Sequence, residues 1–315
     1  MTTRTGTAGA ELRFRAMGTD CHLVVNGGRP LADAARARVD ELEQRWSRFI
    51  DDSDVSRLNR AAGTAVRVAP DTIGLVGRAV EAWRLSGGAF DPTVLGAVLR
   101  AGYTRPFDEL GAAPEPGQSP LGVGAADIAV EGELVRLPAG TGFDPGGIGK
   151  GLAADIVANE TLAAGAEGVC VNMGGDVRVA GTAPGGGTWT VAVEHPWQAR
   201  PLALVGLAEG AVATSTTLLR RWVSGGAPRH HLIDPWTGLP SDTDINLATV
   251  VAGEAWVAEV LAKAVLLRGS AHPFDILGGT GAAGLAVDDR GTVRTSSLFA
   301  TYTGTAPTPA RVSPR

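Results

Sequence analysis

The chain has 315 residues, of which 44% are hydrophobic and 19% charged, with a formal net charge of −5. This profile suits a protein with a substantial core and excludes a disordered or fibrous class. The acidic balance argues against general nucleic-acid binding, so any phosphate site has to be built locally, from backbone amides and one or two cations. The two cysteines, Cys21 and Cys170, lie too far apart for a metal-ligand spacing, which speaks against structural zinc and a disulfide framework; both read as buried thiols.

The first 20 residues hold no apolar run of signal-peptide length and no cysteine for lipid attachment, so a cytoplasmic product without membrane insertion is expected. Residues 1–10 read as a flexible start and residues 12–26 as a strand. The segment ADAARARVDELEQRWSRF has apolar positions at helical spacing and ends near Ile50, where DDSDVSRLNRAAG supplies turn and cap residues. A second helix is expected at about 70–86, then a loop through SGGAFDPTV. Residues 104–126, rich in Gly, Pro and Ala, read as a long surface connection that marks an insertion or a boundary.

IAVEGELVRL, from Ile128 to Leu137, predicts a hairpin with a glycine-containing turn. FDPGGIGKG then opens the helix LAADIVANETLAAG, which is followed by a strand through GVCVNMGGDVRVAG. Further strands are expected at about 188–194, 202–208 and 247–252, then the apolar helix EAWVAEVLAKAVLLRG, a final strand pair, and a disordered tail over 304–315. Strands occur both as hairpins and beside helices, so the fold class is α+β, with mixed, largely antiparallel sheets packed against helices. One domain over 11–303 is expected, with two subdomains joined near 104–127 as the alternative division.

Four segments carry candidate chemistry. In FDPGGIGKG, residues 143–151, three glycines before a helix let the backbone approach a phosphate. Lys150 adds a point charge there, and Asp144 could hold a ribose hydroxyl, an amide or a metal. The stretch matches neither the P-loop nor the dinucleotide fingerprint, so a plain glycine turn is an equal reading. GGAFDPTV places Asp91 in a restricted loop, where Asp-Pro is also an ordinary turn. In NMGGDV, Gly174 and Gly175 interrupt a strand, as a bulge or beside a ligand. RHHLIDPWTGLP offers His231 as a proton acceptor for a hydroxyl nucleophile; two adjacent strand histidines, one buried and one solvated, are the plain alternative.

Taken together, Met17-Gly18-Thr19, WSRF, DSDVSRLNR, GGAFDPTV, FDPGGIGKGLAADIV, VNMGGDV, ATST and HLIDPWTG fall in the order seen in the ApbE-type flavin transferases, over roughly 16–269. The resemblance implies an ApbE-like, T-fold-like architecture. It also implies an enzyme that binds FAD, cleaves its pyrophosphate with magnesium, passes FMN to a threonine hydroxyl of an acceptor protein and releases AMP. Some relatives hydrolyse FAD to FMN and AMP instead, and a non-catalytic FAD-binding protein is a third possibility. By the same resemblance Met17 and Phe49 pack on the flavin, Phe49 standing where the family often has tyrosine. Ala89, Phe90 and Asp91 contact it, Thr214, Ser215, Ile233 and Asp234 line its site, and Asp144 and Lys150 hold the adenosine and phosphate part. Gly147 offers a carbonyl to the metal and His231 acts as base.

One segment departs from that pattern. Where the family's helix carries Asp and, four residues later, Thr or Asp as metal ligands, this chain has Glu259 and Lys263. The two share a helix face in the favourable order for an ion pair, and an ammonium opposes magnesium. Three outcomes are open: Glu259 binds the metal with Lys263 turned aside, Lys263 replaces the metal against the pyrophosphate, or phosphoryl transfer is lost.

Overall fold

The computed structural model describes residues 9–110, 124–303 and the two residues of a last strand, Arg311–Val312. Most of the expected flexible start and tail, and the middle of the 104–126 connection, lie outside the described residues. The chain opens with β1 (Ala10–Ala16) and β2 (Thr19–Asn26), then α1 (Arg29–Trp46), α2 (Asp54–Arg60), β3 (Val66–Arg67), α3 (Pro70–Leu85) and α4 (Leu95–Arg100). β4 (Ala129–Glu131) and β5 (Leu134–Arg136) form the expected hairpin. α5 (Gly149–Ala163), β6 (Gly168–Met173), β7 (Asp176–Gly181), β8 (Trp189–Val193), β9 (Ala203–Leu207) and β10 (Gly210–Thr216) follow. The last part holds β11 (Arg221–Ser224), β12 (Ala227–His230), β13 (Ile233–Asp234), β14 (Leu239–Pro240), β15 (Ile245–Ala252), α6 (Ala255–Arg268), β16 (Ala283–Asp288), β17 (Val293–Thr295) and β18 (Arg311–Val312).

An eight-stranded sheet in the order β1-β2-β6-β7-β10-β15-β16-β17 forms the centre, and every neighbouring pair in it is antiparallel. Alternation along the strands splits their side chains between two cores, as a period of two requires. Val169, Val171, Ala211, Ala213, Ala248 and Val250 join the core shared with α1, α5 and α6. Cys170, Val177, Val179, Val212 and Val251 pack instead with Trp189, Val191 and Val205 of the small sheet β18-β8-β9. The fold is therefore α+β, as expected: helices on one face of a mixed-length antiparallel sheet and a second sheet on the other. Both cysteines are buried thiols, and burial pushes each up to about 12.

Four local expectations need correction. The single strand over 12–26 is a hairpin. Met17 and Gly18, at φ 50° and 66°, form its two-residue turn between the paired residues Ala16 and Thr19. Gly174 and Gly175 make no bulge but a second such turn, at φ 66° and 97°, between paired Met173 and Asp176. Two successive positive φ values match the right-handed twist of the flanking strands, which is why these positions favour glycine. DDSDVSRLNR is more than turn and cap. Ser53 caps α2 by accepting a hydrogen bond from Ser56 N at 3.0 Å. Arg311–Val312, within the expected tail, pairs in parallel with Thr190 and Val191.

Helices α5 and α6 cross with almost no space between them. A Cβ at Gly151 would stand 2.5 Å from the Ala255 carbonyl oxygen and 2.8 Å from the Trp256 Cα, both rigid backbone. Asp155 of α5 caps α6 from outside, accepting hydrogen bonds from Ala255 N at 2.9 Å and Trp256 N at 3.0 Å. Gly151→Ala is therefore expected to cost about 3 kcal/mol in urea denaturation, the upper end for overpacking. Gly149→Ala, where a Cβ meets only Pro145 Cβ at 3.5 Å, serves as the tolerated control.

Candidate active site

One cleft of about 440 Å³ opens where the α5 N-terminus, the C-terminal half of α6, the β1–β2 turn and the segment after β12 converge. Its floor is the turn Pro145–Gly147, a short 3-10 segment ahead of α5. Asp144 caps that turn by accepting from Gly146 N at 2.8 Å and pairs with Arg48 at 3.7 Å. Gly147 must be glycine, because a Cβ there would sit 2.5 Å from the Phe90 ring and 3.4 Å from Lys263 Cε. The Phe90 loop is fixed in turn: Phe90 N donates to Ser86 Oγ at 2.9 Å, and buried Asp91 accepts from Thr93 N at 2.7 Å.

Of the residues singled out in the sequence, Met17, Phe49, Ala89, Phe90, Asp91, Asp144, Gly147, Lys150, His231, Ile233 and Lys263 line this cleft. Thr214, Ser215, Asp234 and Glu259 do not. Thr214 shares a hydrogen bond of 2.9 Å with Thr249 on the neighbouring strand, and Ser215 is buried in β10. Asp234 accepts from Trp236 N at 2.8 Å and so shapes the β13–β14 turn. Glu259 lies beneath the cleft, 1% exposed.

Sequence reasoning passed over Glu43, Arg48, Tyr103 and Arg220, all of which line the cleft. Arg48 lies 4.1 Å above the Phe49 ring and 4.7 Å from the Tyr103 ring, and donates to the Tyr103 carbonyl at 3.0 Å. Arg220, in the left-handed region at φ 49°, donates to the Gly18 carbonyl at 3.0 Å and so ties the segment between β10 and β11 to the β1–β2 turn. Glu43 accepts from Met17 N at 2.7 Å, and burial raises its carboxyl above the ordinary value.

Below the Gly147 turn sits a cluster of two ammonium groups and two carboxylates. Glu259 Oε1 accepts from both Lys150 Nζ and Lys263 Nζ at 3.1 Å, while Oε2 accepts from Gly151 N at 2.8 Å. Lys150 also pairs with Asp176 of β7. Burial would push the Lys150 ammonium down, but Asp176 and Glu259 outweigh it and hold it above its usual range. Burial and the Glu259 charge push Asp176 up to about 6. Burial opposes ionisation of Glu259 too, yet the two ammonium groups and the Gly151 amide bring its carboxyl below 4.5. His231 borders the same space. Its Nδ1 is buried with no hydrogen-bond partner among the described residues, and burial, then Arg220 and Lys263, push its pKa well below 6.5.

Among the described residues no group of three or more His, Cys, Asp or Glu is placed to hold a metal ion, and no helix is long and apolar enough to cross a membrane. With this geometry in view, the match of residues 17–282 to the ApbE family model is decisive, and the chain belongs to the ApbE family. The FAD:protein FMN transferase of Treponema pallidum is 29% identical to it over 299 residues, covering 84% of this chain and 82% of that protein. The crystal structure of the ApbE protein from Thermotoga maritima, 28% identical, superposes with a TM-score of 0.84 over 94% of this chain and 99% of that one. The flavinyl transferase ApbE of Pseudomonas stutzeri, at 21% identity and a TM-score of 0.80, shares the fold.

Proposed function

We propose that this chain transfers the FMN half of FAD to a hydroxyl of an acceptor protein, a threonine by family resemblance, and releases AMP. The observation that carries the reading is the buried Nδ1 of His231, without a hydrogen-bond partner among the described residues, in one cleft with two lysine ammonium groups and the Gly147 turn. The family membership and the names of the relatives support it. Met17, Phe49, Ala89, Phe90, Asp91 and Ile233 bound the flavin end in this reading, and Asp144, Lys150 and the Pro145–Gly147 turn face the diphosphate and adenosine.

The acceptor oxygen attacks the FMN-side phosphorus, its proton passes to the neutral imidazole of His231, and the bond from that phosphorus to the bridging oxygen breaks, so that AMP leaves with the bridging oxygen. Positioning and fixed charge do most of the work in such a transfer. The depressed pKa of His231 keeps the imidazole unprotonated and able to accept at neutral pH. The acid limb of the rate–pH profile is accordingly expected below pH 6.5, with little change above it; a limb at or above 6.5 would remove His231 as base.

The test is incubation of the chain with FAD and a denatured-gel readout of an extract of the native host, alongside chromatography of the nucleotides. AMP together with a protein band that keeps flavin fluorescence after denaturation supports transfer. AMP and free FMN with no such band indicate water as the acceptor, and intact FAD overturns the proposal.

A further inference from the structure

We infer that Lys263 supplies from within the chain the positive charge that the family's resemblance assigns to a divalent cation, so that FAD is held at its diphosphate without metal. The inference rests on the function proposed above and concerns the same cleft.

The donor set does not suit magnesium, which demands hard anionic oxygens in a tight octahedron. Both oxygens of Glu259 are already taken, one by two ammonium groups and the other by the Gly151 amide. Asp176 is engaged by Lys150. A dication at this point would have to displace two ammonium groups held in place by a buried carboxylate, and would stay within reach of their charge. The other carboxylates that line the cleft are also engaged: Glu43 with the Met17 amide, Asp91 with Thr93, Asp144 with Gly146 and Arg48, and Asp108 with Arg15.

Lys263 has what the carboxylates lack. Its side chain lines the cleft, its stem runs beside the Gly147 turn, and its hydrogen bond to Glu259 uses one of three N–H groups. Its hydrogen bond of 3.1 Å to Glu259 restricts the head of the lysine before any ligand arrives, which lowers the cost in side-chain freedom of a contact with a ligand. A prepositioned ammonium stabilises a diphosphate before and during bond cleavage.

The test uses the full chain, stripped with EDTA and desalted, titrated with FAD and with riboflavin by calorimetry, in EDTA and in millimolar magnesium. The FAD Kd is expected to differ between the two buffers by less than about twofold, since a ligand-bound metal would shift it by its own linkage. Lys263→Met is expected to weaken FAD by about tenfold or more through loss of a desolvated charge contact, with riboflavin, which has no diphosphate, unaffected. Lys263→Arg should retain most of the affinity. Lys263→Asp, which places a second carboxylate one turn from Glu259, should make FAD binding magnesium-dependent. Tightening of FAD by magnesium by more than about tenfold in the unaltered chain overturns the inference and leaves the proposed function standing. Unchanged FAD affinity in a folded Lys263→Met protein also overturns it. Where Lys263→Met fails to fold, the magnesium comparison on the unaltered chain decides alone. Failure to bind FAD in either buffer overturns both the inference and the function on which it rests.

Discussion

Replacing Glu259 with alanine is expected to lower the unfolding free energy by about 3 kcal/mol, because it takes from the half-buried Lys263 ammonium the carboxylate it donates to and leaves Lys150 with Asp176 alone. Glu259 is 1% exposed and accepts from Lys150, Lys263 and the Gly151 amide, so one truncation removes three charge-assisted contacts at the crossing of α5 and α6. Asp176 remains, but it reaches Lys150 alone. Equilibrium denaturation checks the magnitude. Asp33→Ala, which breaks the exposed Arg29–Asp33 pair on α1, sets the scale of a surface ion pair and should change stability by no more than about 0.5 kcal/mol. The pH dependence has a definite sign. The carboxyl of Glu259 is below 4.5 in the folded chain, so its contribution is complete above that pH and fades as the pH falls through the folded value. Asp176 runs the other way. Its carboxyl lies near 6 when folded against an ordinary 3.8, so its contribution to stability declines as pH rises across that interval. In Glu259→Ala the first dependence should vanish from the stability–pH curve. An alanine variant as stable as the parent would mean that the two lysines do not depend on this carboxylate.

His231→Ala should reduce AMP release and acceptor flavinylation by about a hundredfold, the lower end of the range for a positioned general base. Stability should hardly change, which makes the result easy to read. The Nδ1 atom has no partner among the described residues, so removing the ring also removes a buried polar atom that none of them satisfies. FAD affinity should stay close to that of the parent, and the acid limb of the rate–pH profile should disappear along with the group that titrates. Lys263→Met offers a cross-check from the other side: the Lys263 charge helps depress the imidazole, so losing it should move the acid limb of the remaining activity upward, toward pH 6.5. A His231→Ala protein with full transfer would take the proton-accepting role away from this residue.

The framework was legible because its elements announce themselves locally. Apolar positions at helical spacing gave α1, α3, α5 and α6, and the glycine-bearing 128–137 segment gave the β4–β5 hairpin. The errors fell where a short-range signal has two meanings. Met17-Gly18 and Gly174-Gly175 both turn the chain back on itself, yet a run of alternating residues on either side of such a pair reads as one strand unless both residues are known to take positive φ. The cleft was legible in part. Met17, Phe90, Asp144, Lys150, His231 and Lys263 came from motifs, and they meet in space. Arg48, Tyr103, Glu43 and Arg220 gave no local signal, because an arginine stacked on rings from two distant segments differs from a solvated arginine only through tertiary contacts. The Glu259–Lys263 pair was legible from its spacing alone. The part of Lys150 in holding Glu259 was not, since it depends on α5 and α6 crossing with only glycine between them.

The order of strands in the central sheet has a consequence for how the protein comes into being. β2 finds its partner β6 only after more than a hundred intervening residues, and Arg220 reaches back across 202 positions to the Gly18 carbonyl. Such distant pairings close late and slowly. Helices and hairpins can therefore form early on a growing chain, whereas the cleft lacks its Lys263 and Leu267 wall until α6 has been made.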